Sequence, residues 1–169
     1  MKKLLRISYL SGLMIAFSSV VSWASVAVSG STVDVFAYDN SSSGGTGAET
    51  EIFLTAGDSF SVIAGVDDLW SAGANPRWSN AKGLVGYLYA TGADQSGSPS
   101  GTLIGQNFGL WSQSGLSAPY GSLVGEIDGL YALLGTSFQG AEWGTGLLRL
   151  FYWDSNYLDN QGSISVRYQ

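Results

Sequence analysis

The stretch "GLLRLFYWDSNYLDNQGSISVRYQ" (146–169) holds two apolar runs around a polar loop. In its last segment Ile164, Val166 and Tyr168 alternate with Ser163, Ser165 and Arg167. That period of two is the mark of a strand with one face buried. "GLLRLFYW" (146–153) is apolar nearly throughout and is also read as a strand. Between them, "DSNYLDNQG" (154–162) places Asp154, Asn156, Asp159 and Asn160 within seven residues. Asp and Asn gather in β connections because they accept left-handed φ and bond their own backbone. Oxygens at this density also suit a hard cation, which takes six to eight oxygen ligands if it is calcium. Magnesium, with its strict octahedron, suits the loop less. The EF-hand template does not fit, since Leu158 stands at the fifth position and Ser165 at the twelfth. On these residues alone, a polar turn and a cation loop both remain open.

Upstream the same alternation recurs. "TVDVFAY" (32–38), "LVGYLYA" (84–90) and "GSLVGEI" (121–127) read as strands, the last ending at the turn Asp128-Gly129. "TEIFLTA" (50–56) and "SFSVIA" (59–64) are read as a compact hairpin through Gly57-Asp58. "LYALLG" (130–135) fits either a short helical turn or extended chain. "NSSSGGTGAE" (40–49) is read as a long flexible turn, and 65–83 as an ordered loop carrying Trp70 and Trp78. Residues 91–119, rich in Gly and Ser, form a surface excursion or hairpin. No long helix is predicted. Many short strands with turn punctuation and no helical interludes predict an all-β sandwich or barrel.

The first 24 residues have the form of a signal peptide. Lys2, Lys3 and Arg6 precede the apolar stretch around Leu10–Val21, and Ser22-Trp23-Ala24 supplies small residues for cleavage. Residues 25–169 then form a single exported domain, periplasmic or secreted, without membrane insertion. Cleavage would leave four basic residues against thirteen Asp and Glu, moving the formal charge from −6 to −9. Nucleic acids and anionic lipid surfaces would be repelled, and divalent cations attracted.

The chain has no Cys and no His. Disulfides, the common zinc ligands, and Ser-His-Asp or Cys-His nucleophiles are all excluded. Glu126 and Glu142 are the acids that could be imagined as a glycosidase pair, but nothing in the sequence sets their separation, and no enzyme is expected. Of the tryptophans, Trp143 and Trp153 are assigned to the core or an interface. Trp70 and, more weakly, Trp111 are candidates for stacking on a sugar ring. Asp67-Asp68 reads as a solvated turn, with support of the ion site or binding of an additional ion as the alternative.

Three blocks, "TEIFLTAGDSFSVIAGV" (50–66), "APYGSLVGEI" (118–127) and "GLLRLFYWDSNYLDNQGSISV" (146–166), occur in an order that resembles the galactophilic PA-I-like lectins of bacteria. The similarity runs from about Thr32 to the C-terminus. It implies a jelly-roll β-sandwich with one calcium ion between two loops. Carried over by position, the calcium ligands are the side chains of Asp154, Asp159 and Asn160. A backbone carbonyl near Tyr157 or Asn156 joins them, with a second from Trp70 or Leu69. Two hydroxyls of a bound sugar complete the shell. The carbohydrate contacts implied are Trp70, Gln113, Asp154 and Asn160; Gln113 is the only amide in "SQSGLSAP" (112–119), where the family carries a His and a Gln.

The expectation is therefore an exported, calcium-dependent carbohydrate-binding domain, with galactosides as the implied class. Modest affinity per site would be offset by a homo-oligomer. The alternative is a structural or matrix sandwich without a sugar site.

Overall fold

The computed structural model describes residues 30–169, so the expected signal peptide and its cleavage site lie outside the described residues. Fourteen strands follow in order. They are β1 (Ser31–Phe36), β2 (Ala48–Leu54), β3 (Ser59–Ala64), β4 (Trp70–Ser71), β5 (Trp78–Ser79), β6 (Leu88–Tyr89) and β7 (Leu103–Gly105), then β8 (Leu110–Gln113), β9 (Leu116–Pro119), β10 (Leu123–Ile127), β11 (Leu130–Leu133), β12 (Ser137–Ala141), β13 (Gly146–Tyr152) and β14 (Gln161–Tyr168). A single 3₁₀ turn spans Tyr157–Asp159, and the described residues contain no α-helix. No helix among them is long and apolar enough to cross a membrane.

Two sheets form the expected all-β jelly-roll sandwich. One has the order β12-β3-β14-β4-β5, with β1 on the other side of β14; the second has the order β11-β10-β13-β2. The last strand is central. Val166 pairs with Val33 of β1 on one side and with Ala64 of β3 on the other. Its alternation works as read: Ile164, Val166 and Tyr168 are buried. They meet Leu148, Leu150 and Tyr152 of β13 in the core between the sheets, together with Val35, Val62, Trp70 and Leu123. Each fully buried aliphatic side chain contributes about 1.5–3 kcal/mol relative to exposure.

The compact hairpin expected from 50–56 and 59–64 is not formed. β2 belongs to the four-stranded sheet and β3 to the six-stranded one, so the Thr55–Asp58 turn arches from layer to layer. The turn chemistry is correct, with Gly57 at φ +97° and Asp58 accepting from the Thr55 N–H and hydroxyl. Both strands bury apolar faces, and arching lets those faces meet across the core. By contrast, Asp128 (φ 53°) and Gly129 (φ 80°) make a two-residue primed turn, and β11 pairs with β10 across it. The ambiguous segment 130–135 is therefore extended.

Of the expected strand 84–90, only Leu88–Tyr89 forms a strand, with Ala90 bonding the Thr102 carbonyl and the Gly101 N–H beyond it. The backbone at Leu84 instead bonds loop groups at Tyr120 and Phe108. β12, where Phe138 is the one large apolar residue, gave no readable alternation because it is an edge strand beside β3.

The excursion 91–119 folds into β7 and the β8–β9 hairpin. That hairpin lies on the outer face of the four-stranded sheet, where Trp111, Leu116 and Ala118 cover Val124, Trp153 and Tyr131. Trp153 is fully buried there and donates its indole N–H to the Trp111 carbonyl at 2.9 Å. Trp143 packs on Phe60 and Phe138 at the border of the main core.

Candidate cation and ligand site

β13 and β14 lie in opposite sheets, so residues 153–160 cross one end of the sandwich. The crossing is fastened at both ends. The Trp153 N–H bonds the Ser122 carbonyl at 3.0 Å, and the Gly121 N–H bonds the Trp153 carbonyl at 2.8 Å. Asn156 caps the 3₁₀ turn, accepting from the Leu158 N–H. The Asn160 side-chain amide donates to the Ala37 carbonyl at 3.0 Å. Gly162, at φ +83°, then lets the chain pass the Leu69 carbonyl and the Trp70 backbone closely; a Cβ there would sit 3.1 Å from the former. Strand β4 thus runs beside the start of β14, with Trp70 opposite Gly162.

The crossing leaves one buried charge without a counter-charge and one buried amide oxygen without a donor. Asp154 is 4% exposed, and among the described residues no basic group pairs with it. Its Oδ1 accepts the Ser155 N–H at 2.7 Å. Burial pushes its carboxyl up to about 6, against the downward pull of the Ser155 and Asn156 N–H groups and the Asn160 amide. The neighbouring Asp159 charge adds to the rise. Asn160 is 5% exposed, and its Oδ1 is buried with no hydrogen-bond donor. Leaving such an acceptor unmet costs about 1–3 kcal/mol. Asp159 accepts from the Asn156 amide at 2.9 Å, and its other oxygen lies 3.6 Å from the Arg77 guanidinium.

A buried carboxylate without a counter-charge and an orphaned amide oxygen form a hard-oxygen donor set that fits calcium. Among the described residues no three His, Cys, Asp or Glu side chains gather as a metal group, so two carboxylates and one amide would need backbone carbonyls to fill the shell. The Tyr157 carbonyl already accepts the Asn160 N–H at 3.1 Å, leaving one lone pair. The Asn156 side chain is engaged in the cap. The Tyr152 hydroxyl is also buried without a partner; burial first, then Asp154 and Asp159, hold its pKa well above the usual value, with Arg77 opposing.

The expected stacking of Trp70 on a sugar ring is corrected. The Trp70 ring is 0% exposed, packs edge-on against Tyr152 with centroids 4.6 Å apart, and donates to the Gly121 carbonyl at 2.8 Å. It is a core residue because Trp70 opens strand β4 rather than sitting in a loop, so only its backbone reaches the crossing. Gln113 has both ends of its amide engaged within the chain. It donates to the Ser42 carbonyl at 3.1 Å and accepts the Trp111 indole N–H at 3.3 Å, which fastens the β8–β9 hairpin. Glu126 and Glu142 each hold a turn, the former bonding the Gly129 N–H and the latter the Gly57 N–H. Asp67 and Asp68 line a different cavity of about 540 Å³, with Leu88, Tyr89 and Asp94.

The sequence reading missed the wall beside Asp159. A cavity of about 440 Å³ is lined by Ala74, Asn75, Pro76, Arg77, Gln106, Phe108 and Asp159. The Arg77 guanidinium lies over the Phe108 ring, 4.5 Å from its centroid. Gly73, at φ +117°, makes room: a Cβ there would lie 2.6 Å from the Asp159 Oδ2. The one available signal was an arginine, in a chain with few cations, placed in the loop already implicated through Leu69 and Trp70.

No protein-family model matches the chain, and no curated protein matches it. Among solved structures, the chain is similar to "EclA N-terminal domain; PllA-like lectin", with a TM-score of 0.49 and 19% sequence identity over 81% of this chain and 92% of that one.

Proposed function

We propose that this protein is an exported, non-catalytic domain that binds carbohydrate through a calcium ion held at the 153–160 crossing. The observation that carries the reading is the pairing of a buried, uncompensated Asp154 carboxylate with an Asn160 Oδ1 that has no donor. Asp154, Asp159 and Asn160 would hold the ion, with carbonyls of Tyr157 or Asn156 and of Leu69 or Trp70 available to complete the protein's share. Bound calcium would supply direct coordination for neighbouring hydroxyls of a sugar, galactosides being the class implied by the family resemblance. The chain's own part is to hold the donors rigid: Ala37 and Ser42 of the β1–β2 connection and Ser122 before β10 fasten the crossing from two separate segments. Homo-oligomerisation would raise avidity at such sites.

The test is calcium titration by calorimetry on residues 25–169, wild type against Asn160→Ala and Asp154→Asn, followed by a glycan panel with calcium or EDTA. Stoichiometric calcium binding lost in both variants, with calcium-dependent glycan capture, is expected. Absence of calcium binding by the wild type would overturn the reading.

A second reading, a structural sandwich whose calcium only ties loops together, is favoured by the inward-turned Trp70 and the engaged Gln113. Calcium binding without capture of any glycan on the panel is its signature.

A further inference from the structure

We infer that the cavity beside Asp159 is a subsite for an anionic group on the saccharide, a carboxylate or a sulfate ester, recognised by Arg77. The inference rests on the proposed calcium-dependent sugar binding and specifies its ligand class.

Arg77 is held in place before any ligand arrives. One guanidinium nitrogen donates to the Ala72 carbonyl at 3.3 Å and lies 3.6 Å from the Asp159 Oδ2. The planar group rests on Phe108, and the Arg77 carbonyl accepts the Ala72 N–H at 3.0 Å, closing the loop under it. Both polar contacts of the guanidinium, to the Ala72 carbonyl and to Asp159, use Nη1. Among the described residues no acceptor engages Nε or Nη2, so one edge of the fork stays available for two parallel bonds to a carboxylate or sulfate.

The rest of the cavity suits a sugar. Asn75 and Gln106 bring amides, and Phe108, 40% exposed, offers an apolar surface to ring C–H groups. The volume of about 440 Å³ falls within the roughly 300–1,000 Å³ of small-ligand pockets.

Charge decides when an anion is admitted. Without a cation, Asp154 and Asp159 outweigh Arg77 and would repel an anionic sugar. A bound dication balances the two carboxylates and leaves the Arg77 charge at the cavity uncompensated. Calcium and the anionic group should therefore bind with positive, reciprocal coupling.

The experiment is calorimetric titration of the calcium-saturated protein with matched sugars: galactose against galacturonic acid and galactose 6-sulfate, and glucose against glucuronic acid. Inorganic sulfate serves as the free-anion control. We expect at least one acidic sugar to bind about tenfold or more tighter than its neutral partner. The preference should collapse in Arg77→Gln, return in part in Arg77→Lys, and shrink with added sodium chloride in the wild type. Should Arg77→Gln fail to fold, the salt series and Arg77→Lys still decide. Equal affinity for acidic and neutral sugars overturns the inference and leaves the calcium-dependent lectin reading standing. Sulfate binding as tightly as the acidic sugars overturns the saccharide assignment. Failure of every sugar, with calcium bound, overturns this inference and the carbohydrate-binding reading together, and leaves the structural sandwich.

Discussion

The Ser42 hydroxyl makes a two-way bond with the backbone of Asp154, accepting its N–H at 3.2 Å and donating to its carbonyl at 3.1 Å. The two residues are 112 positions apart. Segment 40–49, read from composition as a flexible turn, is therefore a brace for the candidate calcium ligand. Its neighbours add to the brace: the Ser42 N–H bonds the Tyr152 carbonyl at 2.9 Å.

Ser42→Ala removes both side-chain bonds and leaves the backbone one. We expect a loss of about 1–2 kcal/mol in stability and a several-fold weaker calcium affinity, because the Asp154 backbone is no longer fixed. Urea unfolding and calcium titration of the variant measure the two effects separately.

The raised Asp154 pKa gives a pH signature. The unfolded value is near 3.8 and the folded value about 6. Between them the folded chain keeps a proton that the unfolded chain has released, so stability of the calcium-free protein falls as pH rises from about 4 to 6 and stays lower above. The loss is on the order of 2–3 kcal/mol. Calcium competes with that proton, so its affinity at pH 5 should be about tenfold below that at pH 7.5. Melting curves across this range with EDTA and with calcium test both signs.

Asp154→Asn keeps the shape and removes the buried charge. At pH 7.5 in EDTA the variant should melt no lower than the wild type. Adding calcium should raise only the wild-type melting temperature, since stabilisation by mass action needs a site. A variant still stabilised by calcium would remove Asp154 from the ligand set.

Gly73→Ala tests the approach of the two loops. The new Cβ would meet the Asp159 Oδ2 at 2.6 Å, on backbone at φ +117°. Strain of about 1 kcal/mol or more is expected, and displacement of Asp159 should weaken calcium binding. Far-UV circular dichroism should stay unchanged, because the position lies outside the main core.

What could be read in the sequence was local. Ile164, Val166 and Tyr168 announce their strand because one face of β14 meets a core and the other does not. Asp154, Asp159 and Asn160 lie within seven residues, so one short crossing carries all three candidate ligands. Partner choice was not local. Gly57-Asp58 specifies a turn but not whether the next strand returns to the same sheet, and here it joins the other. Trp70 looked like a loop aromatic because a two-residue strand has no alternation to show which way its ring points. Arg77, Gln106, Phe108 and Asp159 come from three separate segments, so the cavity wall exists only once the excursion has folded back.

The β8–β9 hairpin gives this sandwich a third layer on one side. Val124, Ala118 and Trp153 are shut away inside a single chain, with no exposure left to share. Folding of that face makes no demand for a second subunit. If the proposed homo-oligomer forms, protein concentration would tune its avidity at no cost to the folding of that face.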